Sequence, residues 1–139
     1  MPLDGIIDEI DALRGSEYAL LAVLLGAAPS NDLLSRVAGL RGDATAIGMA
    51  HLELADAARS AEETAVALEY FNLFIGVGRG EFLPYGSWYQ TGFLHERPLA
   101  RIREDLAALG IERDGPSKEP EDHIAILCEV MAGMAQGRF

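Results

Sequence analysis

The residues best suited to chemistry in this chain of 139 residues form the segment Glu119-Pro120-Glu121-Asp122-His123. Carboxylates beside an imidazole can hold a metal ion, exchange protons or cap the first turn of a helix. A metal site needs ligands that converge on one point, and no spacing links His51 or His95 to this segment. We therefore expect a hydrogen-bonded pair of Asp122 and His123 at a helix start, with no metal and no cofactor.

A second candidate is the aromatic loop around residues 83–89. Tyrosine and tryptophan combine a large apolar area with a polar tip, and both are favoured at recognition surfaces. Disordered linkers lack aromatic residues, so this loop is expected to be ordered. Whether it caps a core or recognises a partner stays open from the sequence alone. Its candidate residues are Pro84, Tyr85, Ser87, Trp88 and Tyr89.

Other patterns that suggest catalysis are weak. The run Gly76-Val77-Gly78-Arg79-Gly80 lacks the Gly-Lys-Ser/Thr ending of a phosphate-binding loop and follows a helix rather than a strand. Cys128 lies in an apolar helix, which is typical of an inert core thiol rather than a nucleophile. No set of serine, histidine and aspartate is recognisable, so we predict no catalytic residue.

The elements that must position these residues are helices. Apolar residues recur with helical spacing almost throughout, and no stretch alternates as a half-buried strand does. We predict an all-α bundle of about six to seven helices, forming a single domain over residues 1–139. Capping residues and prolines place helix starts at Asp43, Ser60, Pro98 and Pro120. Ser16 can cap a second helix, but two helices and one bent helix are both compatible with this part of the sequence.

Three apolar faces lead to specific expectations. The first helix presents Leu3, Ile6, Ile10 and Leu13 on one side. The helix that starts at Ser60 has a wide apolar stripe, so it is expected to be deeply buried. In the last helix, Glu129 is the only charged residue from Ile124 to Ala135. That helix is therefore covered either by the earlier helices or by a second copy of the chain.

Composition restricts the class of partner. The net charge is −11, from 22 acidic and 11 basic residues, which argues against nucleic acid and permits a basic partner. The single cysteine fits a reducing compartment. The N-terminus carries acids where a secretory signal carries basic residues, and the longest apolar run is too short for a membrane span. We expect a soluble cytoplasmic protein.

Two segments together resemble signatures of the TorD/DmsD family of redox enzyme maturation proteins. Pro84-Tyr85-Gly86-Ser87-Trp88-Tyr89 is similar to the proline–tyrosine–x–serine–x–tyrosine loop of that family. Glu119-Pro120-Glu121-Asp122-His123-Ile124 is similar to its Glu-Pro-x-Asp-His-apolar helix start. The run Tyr18–Leu25, followed by Pro29, is like the first long helix of the family.

The resemblance implies an all-α chaperone without enzymatic activity. Such proteins bind the twin-arginine signal peptide and the apo form of a molybdenum enzyme until its cofactor is inserted. Tyr85, Ser87, Tyr89, Asp122 and His123 match the motifs, and physical grounds add Pro84 and Trp88 as peptide-binding residues. The implied mechanism requires the two motif segments to meet in space as one cradle for a foreign peptide.

The chain also departs from the family pattern. Members usually continue for several helices after the Asp-His helix, whereas this chain stops with it, and Gly86 stands where a larger or charged residue is common. We therefore expect either a homodimer, intertwined or domain-swapped, or a truncated form. Two other functions stay open: a small helical metal-binding protein or enzyme using Asp122 and His123, or a helical oligomerisation or regulatory domain.

Overall fold

The computed structural model describes residues 8–139 and divides the chain into two compact units. The first unit combines the N-terminal helix with Leu83–Phe139, and the second is Ala27–Phe82. Over the described residues the helices are α1 (Glu9–Gly26), α2 (Asn31–Ala38), α3 (Ala46–Ser60), α4 (Glu63–Tyr70), α5 (Gly86–Thr91), α6 (Glu96–Ala108) and α7 (Ile124–Ala135). The predicted all-α class with six to seven helices is confirmed. The prediction of one domain over residues 1–139 stays a prediction.

In the first unit, α1 and α7 pack against each other through small residues. Gly15 lies against the side chain of Gln136, and a Cβ at Gly26 would be 3.5 Å from the Cβ of Ala125. The two helices therefore run in opposite directions. Small residues let helix backbones approach closely, and Ala125, Cys128 and Ala132 are buried on α7. Among residues 8–139, no helix is both long and apolar enough to cross a membrane.

In the second unit, α2 packs on α3. Leu34 and Val37 of α2 and Ala55 and Ala58 of α3 are the buried apolar side chains of this pair. Ser30 caps α2 by accepting from the N–H of Leu33 at 3.2 Å. A side-chain cap of this kind satisfies one of the free N–H groups of the first turn.

Of the two alternatives at Ser16, the structure has one helix: Ser16 lies inside a continuous α1, where its hydroxyl donates to the carbonyl of Ala12 at 3.1 Å. Two predicted helix starts in this part of the chain are wrong. Asp43 does not cap α3; its carboxylate orients Thr45, and Thr45 accepts from the N–H of Gly48 at 3.0 Å. Ser60 ends α3, and α4 is capped by Glu62. At α3 and α4 a nearby side-chain oxygen, from Thr45 and Glu62, caps the helix in place of the residue that the sequence spacing predicted.

The expected deep burial of the helix after Ser60 is also wrong. None of the residues of α4 is buried, and α4 continues into a π-helical turn at Phe71–Ile75 that ends at Gly76, where φ is +64°. The Gly76 N–H donates to the carbonyl of Phe71 at 2.7 Å, five residues back. A π-turn adds a residue to the helical repeat, so the apolar stripe does not stay on one face.

The predicted face of the first helix is only partly described. Leu3 and Ile6 lie outside the described residues. Ile10 and Leu13 are 64% and 62% exposed, so the side of α1 that packs on α7 is the one bearing Gly15 and Gly26 instead. Backbone proximity, rather than large apolar side chains, decides which side of α1 is buried.

Candidate functional site

The two motif segments lie side by side in the first unit. The N–H of Gly86 donates to the carbonyl of Asp122 at 3.0 Å, and the N–H of Ile124 donates to the carbonyl of Pro84 at 2.8 Å. These bonds form an antiparallel bridge between Tyr85 and His123. The predicted meeting of the two segments in space is therefore observed, as a short piece of paired backbone just ahead of α5 and α7.

A buried pair of side chains, Ser87 and Asp122, reinforces this backbone pairing. Oδ2 of Asp122 accepts from the N–H of Ser87 at 2.9 Å and also from its hydroxyl. Both residues are 1% exposed. Oδ1 of Asp122 is also buried and accepts no hydrogen bond from any described residue. Hydrogen bonds to a carboxylate are stronger than neutral ones, so this pair fixes the start of α5 to the segment that leads into α7.

The same pair reaches the start of α6. The Ser87 Oγ accepts from the N–H of His95 at 3.0 Å. His95 and Glu96 have φ values of +69° and +55°, which is a costly conformation for residues other than glycine. The bond to Ser87 is thus one of the contacts that hold this strained turn, so three helix starts depend on one buried network.

His123 faces a different environment from its neighbour Asp122. Its Nδ1 accepts from the N–H of Ala125 at 3.1 Å and caps α7. Burial lowers the pKa of His123, while the charges of Glu119 and Asp122 oppose that change. The neutral ring that results carries its proton on Nε2.

Tyr85 and Glu119 complete the surroundings of the imidazole. The Tyr85 ring meets the His123 ring edge-on, with centroids 5.2 Å apart and planes at 85°. The Tyr85 hydroxyl donates to Oε2 of Glu119 at 2.5 Å. The loop motif and the helix-start motif therefore share side-chain contacts as well as backbone bonds.

The expectation that Pro120 begins the last helix is wrong, because α7 begins four positions later at Ile124. The N–H of His123 donates to the carbonyl of Pro120 at 3.0 Å and closes a turn. The carbonyl and carboxylate of Asp122 are bound to Gly86 and Ser87. These tertiary bonds outweigh the local preference for a helix at residues 120–123.

Glu121 consequently lies before α7 rather than in its first turn. It is buried and accepts from Arg103 at 2.8 Å, with Arg113 at 3.4 Å. Burial acts to raise the pKa of Glu121, yet the hydrogen bond and charge of Arg103, aided by Arg113, hold it below its ordinary value. Glu121 thus ties the loop before α7 to α6 and to the segment that follows it.

Beside this junction lies a cleft of about 460 Å³, lined only by residues of the first unit. Its carboxylates outnumber its cations: they belong to Glu112, Asp114, Glu119, Glu121 and Glu129, against Arg113 and Arg138. Apolar walls come from residues such as Ile111, Ile126 and Phe139. The cleft suits a ligand that carries positive charge and apolar parts.

The predicted site residues separate into two groups. Pro84, Ser87 and Asp122 are buried and do not line the cleft, whereas His123 does. Tyr85 and Trp88 are half-buried, and Tyr89 is 65% exposed. The aromatic loop therefore packs against the segment that leads into α7 and exposes Tyr89 at its surface. The cleft is lined instead by residues of the helix-start motif and their neighbours.

The cleft also contains residues that sequence reasoning did not select. Glu112, Arg138 and Phe139 come from segments without a motif. Glu129 did give a signal, since it is the one charge in an otherwise apolar helix. Across the described part of the chain, no three histidine, cysteine or acidic side chains are grouped as a metal site requires. Cys128 is buried, and burial raises the pKa of its thiol.

Comparison with known proteins gives matches in sequence. Residues 40–139 match the family model described as nitrate reductase delta subunit. The chaperone protein TorD of Vibrio cholerae is 35% identical over 78 residues, which are 55% of this chain and 36% of the relative. The chaperone protein TorD of Aliivibrio fischeri is 29% identical over 87 residues, 60% of this chain and 40% of the relative. The chain thus spans well under half the length of these relatives.

One solved structure extends the likeness to the fold. A crystal structure from Archaeoglobus fulgidus, assigned as a redox enzyme maturation protein, matches with a TM-score of 0.66. The match covers 95% of this chain and 75% of that one at 21% sequence identity. The two proteins share the helical fold.

Proposed function

Since the chain belongs to the TorD/DmsD family, whose family model is that of the nitrate reductase delta subunit, we propose that it is a maturation chaperone for a redox enzyme. Its client is a molybdenum-containing oxidoreductase, bound through its twin-arginine signal peptide and in its apo form before export. The relatives named TorD are chaperones, and the charge of this chain favours a basic partner.

The observation that carries the proposal is the pairing of the two motif segments. Paired backbone at Tyr85 and His123 and the buried bond between Ser87 and Asp122 join them. Residues far apart in the sequence thereby form one preorganised surface, which lowers the cost of binding a flexible peptide. An extended signal peptide with arginines and an apolar stretch matches the charge and walls of the adjoining cleft.

We propose further that the chain has no catalytic activity of its own. The serine hydroxyl in the site, that of Ser87, is buried and donates to Asp122 while its oxygen accepts from the N–H of His95. A nucleophile needs access to substrate and a base that can take its proton. The named chaperone relatives support the same proposal.

We also propose a cytoplasmic location and a homodimer. Ile124, Met131 and Met134 of α7 keep about two fifths of their surface exposed, which leaves apolar area for a second copy. Light scattering of the chain coupled to size-exclusion chromatography tests the dimer. A mass of twice 14.9 kDa is expected, and a monomer at micromolar concentration would contradict it.

Titration with a synthetic peptide that carries two adjacent arginines and a following apolar stretch tests the proposed function. Trp88 is the only tryptophan and lies in the loop motif, so its emission is expected to change on binding. Isothermal titration calorimetry should give a saturable curve, which His123→Ala weakens. A flat titration by both methods with several such peptides would contradict the proposal.

A further inference from the structure

We infer that two unlike surfaces of the first unit hold the homodimer together, each contacting its counterpart on the second copy. The basic apolar surface consists of Phe93, Leu94, Arg97 and Arg101. The acidic start of α1 consists of Asp8, Glu9, Ile10 and Leu13. The inference rests on the homodimer of the proposed function and names the residues that form it.

The basic apolar surface carries positive charge in an acidic chain. Residues 86–103 contain three arginines and a single acid, whereas the whole chain has a net charge of −11. Arg103 is paired with Glu121. Arg97 and Arg101 are exposed and form no ion pair with any described residue. Since they lie four positions apart on α6, they share one face of that helix and can bind an acidic partner.

Phe93 and Leu94 add apolar area directly before α6. Both are exposed, and Phe93 keeps 69% of its surface accessible to solvent. The backbone around them is fixed, because the Phe93 N–H donates to Oγ1 of Thr91 at 3.2 Å and the His95 N–H donates to Oγ of Ser87 at 3.0 Å. A side chain presented by a fixed turn loses little freedom on association. Aromatic residues and arginine are the types enriched at protein interfaces.

The start of α1 has the complementary character. Asp8 and Glu9 are exposed acids, and Glu9 forms no ion pair with any described residue. Ile10 and Leu13 are exposed beside them. Leu13 lies three positions after Ile10 and four after Glu9, so these three side chains share one face of the helix. The free arginines of the first surface can pair with these acids while its apolar side chains pack on Ile10 and Leu13.

The two surfaces lie toward opposite ends of the first unit. α1 and α7 run in opposite directions, and Gly15 near the start of α1 lies against Gln136 at the end of α7. The turn before α6 is tied through Ser87 to Asp122, just ahead of the start of α7. A twofold axis across α7 exchanges these two ends, so each surface can face its counterpart on the other copy.

An anionic membrane fits the basic apolar surface less well than a helix start does. A membrane is broad, so the exposed acids Glu96 and Glu104 on α6 would approach the same lipid charge as the arginines and be repelled by it. Two arginines near such a surface contribute only about 1 kcal/mol each. A helix start is narrow enough to contact the arginines and the apolar turn alone.

The test measures the dissociation constant of the dimer by sedimentation velocity over a series of concentrations, for the whole chain and its variants. Arg97→Glu and Glu9→Arg each reverse one charge, and a chain with both changes exchanges the two charges. Phe93→Ser removes the apolar contact. Arg41→Glu is the matched control, because Arg41 is an exposed arginine of the second unit without an ion pair to any described residue.

Each single charge reversal, and Phe93→Ser, is expected to raise the dissociation constant about tenfold. The chain with both reversals should return to within about threefold of the unchanged chain, because opposite charges again face each other. Arg41→Glu should have no effect. All of these side chains are exposed, and thermal unfolding verifies that each variant folds.

The outcomes separate the interface from the dimer and from client binding. A dimer that Arg97→Glu and Phe93→Ser leave unchanged, or that the double reversal fails to restore, overturns the inference while the homodimer stands. A monomer at every concentration overturns both. A monomer that binds anionic phospholipid vesicles, and loses this binding in Phe93→Ser, assigns the surface to a membrane instead. Titration with the twin-arginine peptide is a separate measurement, so client binding is tested independently.

Discussion

Asp122 and His123 are neighbours in sequence with opposite environments. Asp122 points inward, and its carboxylate is bound to the N–H and hydroxyl of Ser87. His123 caps α7 with its Nδ1 and is one of the residues that line a cleft with several acids. One residue holds the two motif segments together, and the next faces the space where a ligand fits.

This difference shows that a motif read as one binding element can combine two physical functions. Pro84, Ser87 and Asp122 belong to the buried junction, whereas His123 and Glu119 border the cleft. Substitutions in the first group should act mainly on stability, and those in the second mainly on binding.

The largest effect is expected for Asp122→Ala. The change leaves the buried N–H and hydroxyl of Ser87 without their acceptor, which should cost about 2–4 kcal/mol of unfolding free energy. Asp122→Asn, which keeps one acceptor oxygen, should cost clearly less. Urea unfolding measures both. A fully stable Asp122→Ala that no longer binds peptide would show that Asp122 is a contact residue.

Ser87→Ala should have the next largest effect, about 1–2 kcal/mol of unfolding free energy. It removes the hydroxyl that donates to Asp122 and accepts from His95, while the N–H of Ser87 still binds the carboxylate. Hydrogen exchange at the amide of His95 should become faster than in the unchanged chain. Unchanged exchange there would mean that the strained turn at the start of α6 does not depend on Ser87.

A smaller effect is expected from pH. Burial lowers the pKa of His123 below its ordinary value of 6.5, so the unfolded chain takes up a proton there before the folded chain does. The stability that this residue contributes is full above pH 6.5 and is lost as the pH falls from there through the folded pKa. Urea unfolding at pH 7.5 and 5.5 should show the loss, and His123→Asn should reduce it. An equal loss in both proteins would place the titrating group elsewhere.

The smallest effect is expected for Gly86→Ala. A Cβ at Gly86 would lie 3.8 Å from the carbonyl oxygen of Asp122, an ordinary contact, and the position has no positive φ that requires glycine. Stability should change by less than about 0.5 kcal/mol, and peptide binding should be unchanged. A loss of more than about 1 kcal/mol would mean that the backbone pairing at Gly86 and Asp122 tolerates no side chain.

The helical class and the meeting of the two motifs could be predicted from the sequence, because both depend on repeated or specific local patterns. Apolar spacing predicted the helices, and the resemblance of the two segments to family motifs implied that they meet in space. Exact helix starts could not be predicted in the same way. At Pro120 the local signals favour a helix. The carbonyl and the carboxylate of Asp122 instead accept hydrogen bonds from Gly86 and Ser87, so α7 begins only at Ile124.

The cleft was the least predictable feature. Its carboxylates come from the segment after α6, the turn before α7 and α7 itself, so only tertiary structure brings Glu112 and Glu129 to one cavity. The short helix α5 was also missed, because the glycines and aromatic residues around Trp88 favour a loop by composition. The bridge between Tyr85 and His123 fixes where that helix begins.

The most direct test of the central claim is a nuclear magnetic resonance titration of the ¹⁵N-labelled chain with the twin-arginine peptide. If the paired motifs present the cleft to the peptide, the largest shifts of amide signals should fall at Glu112, Glu119, His123 and Glu129. Shifts confined to α2, α3 and α4, with those four signals unmoved, would contradict the account.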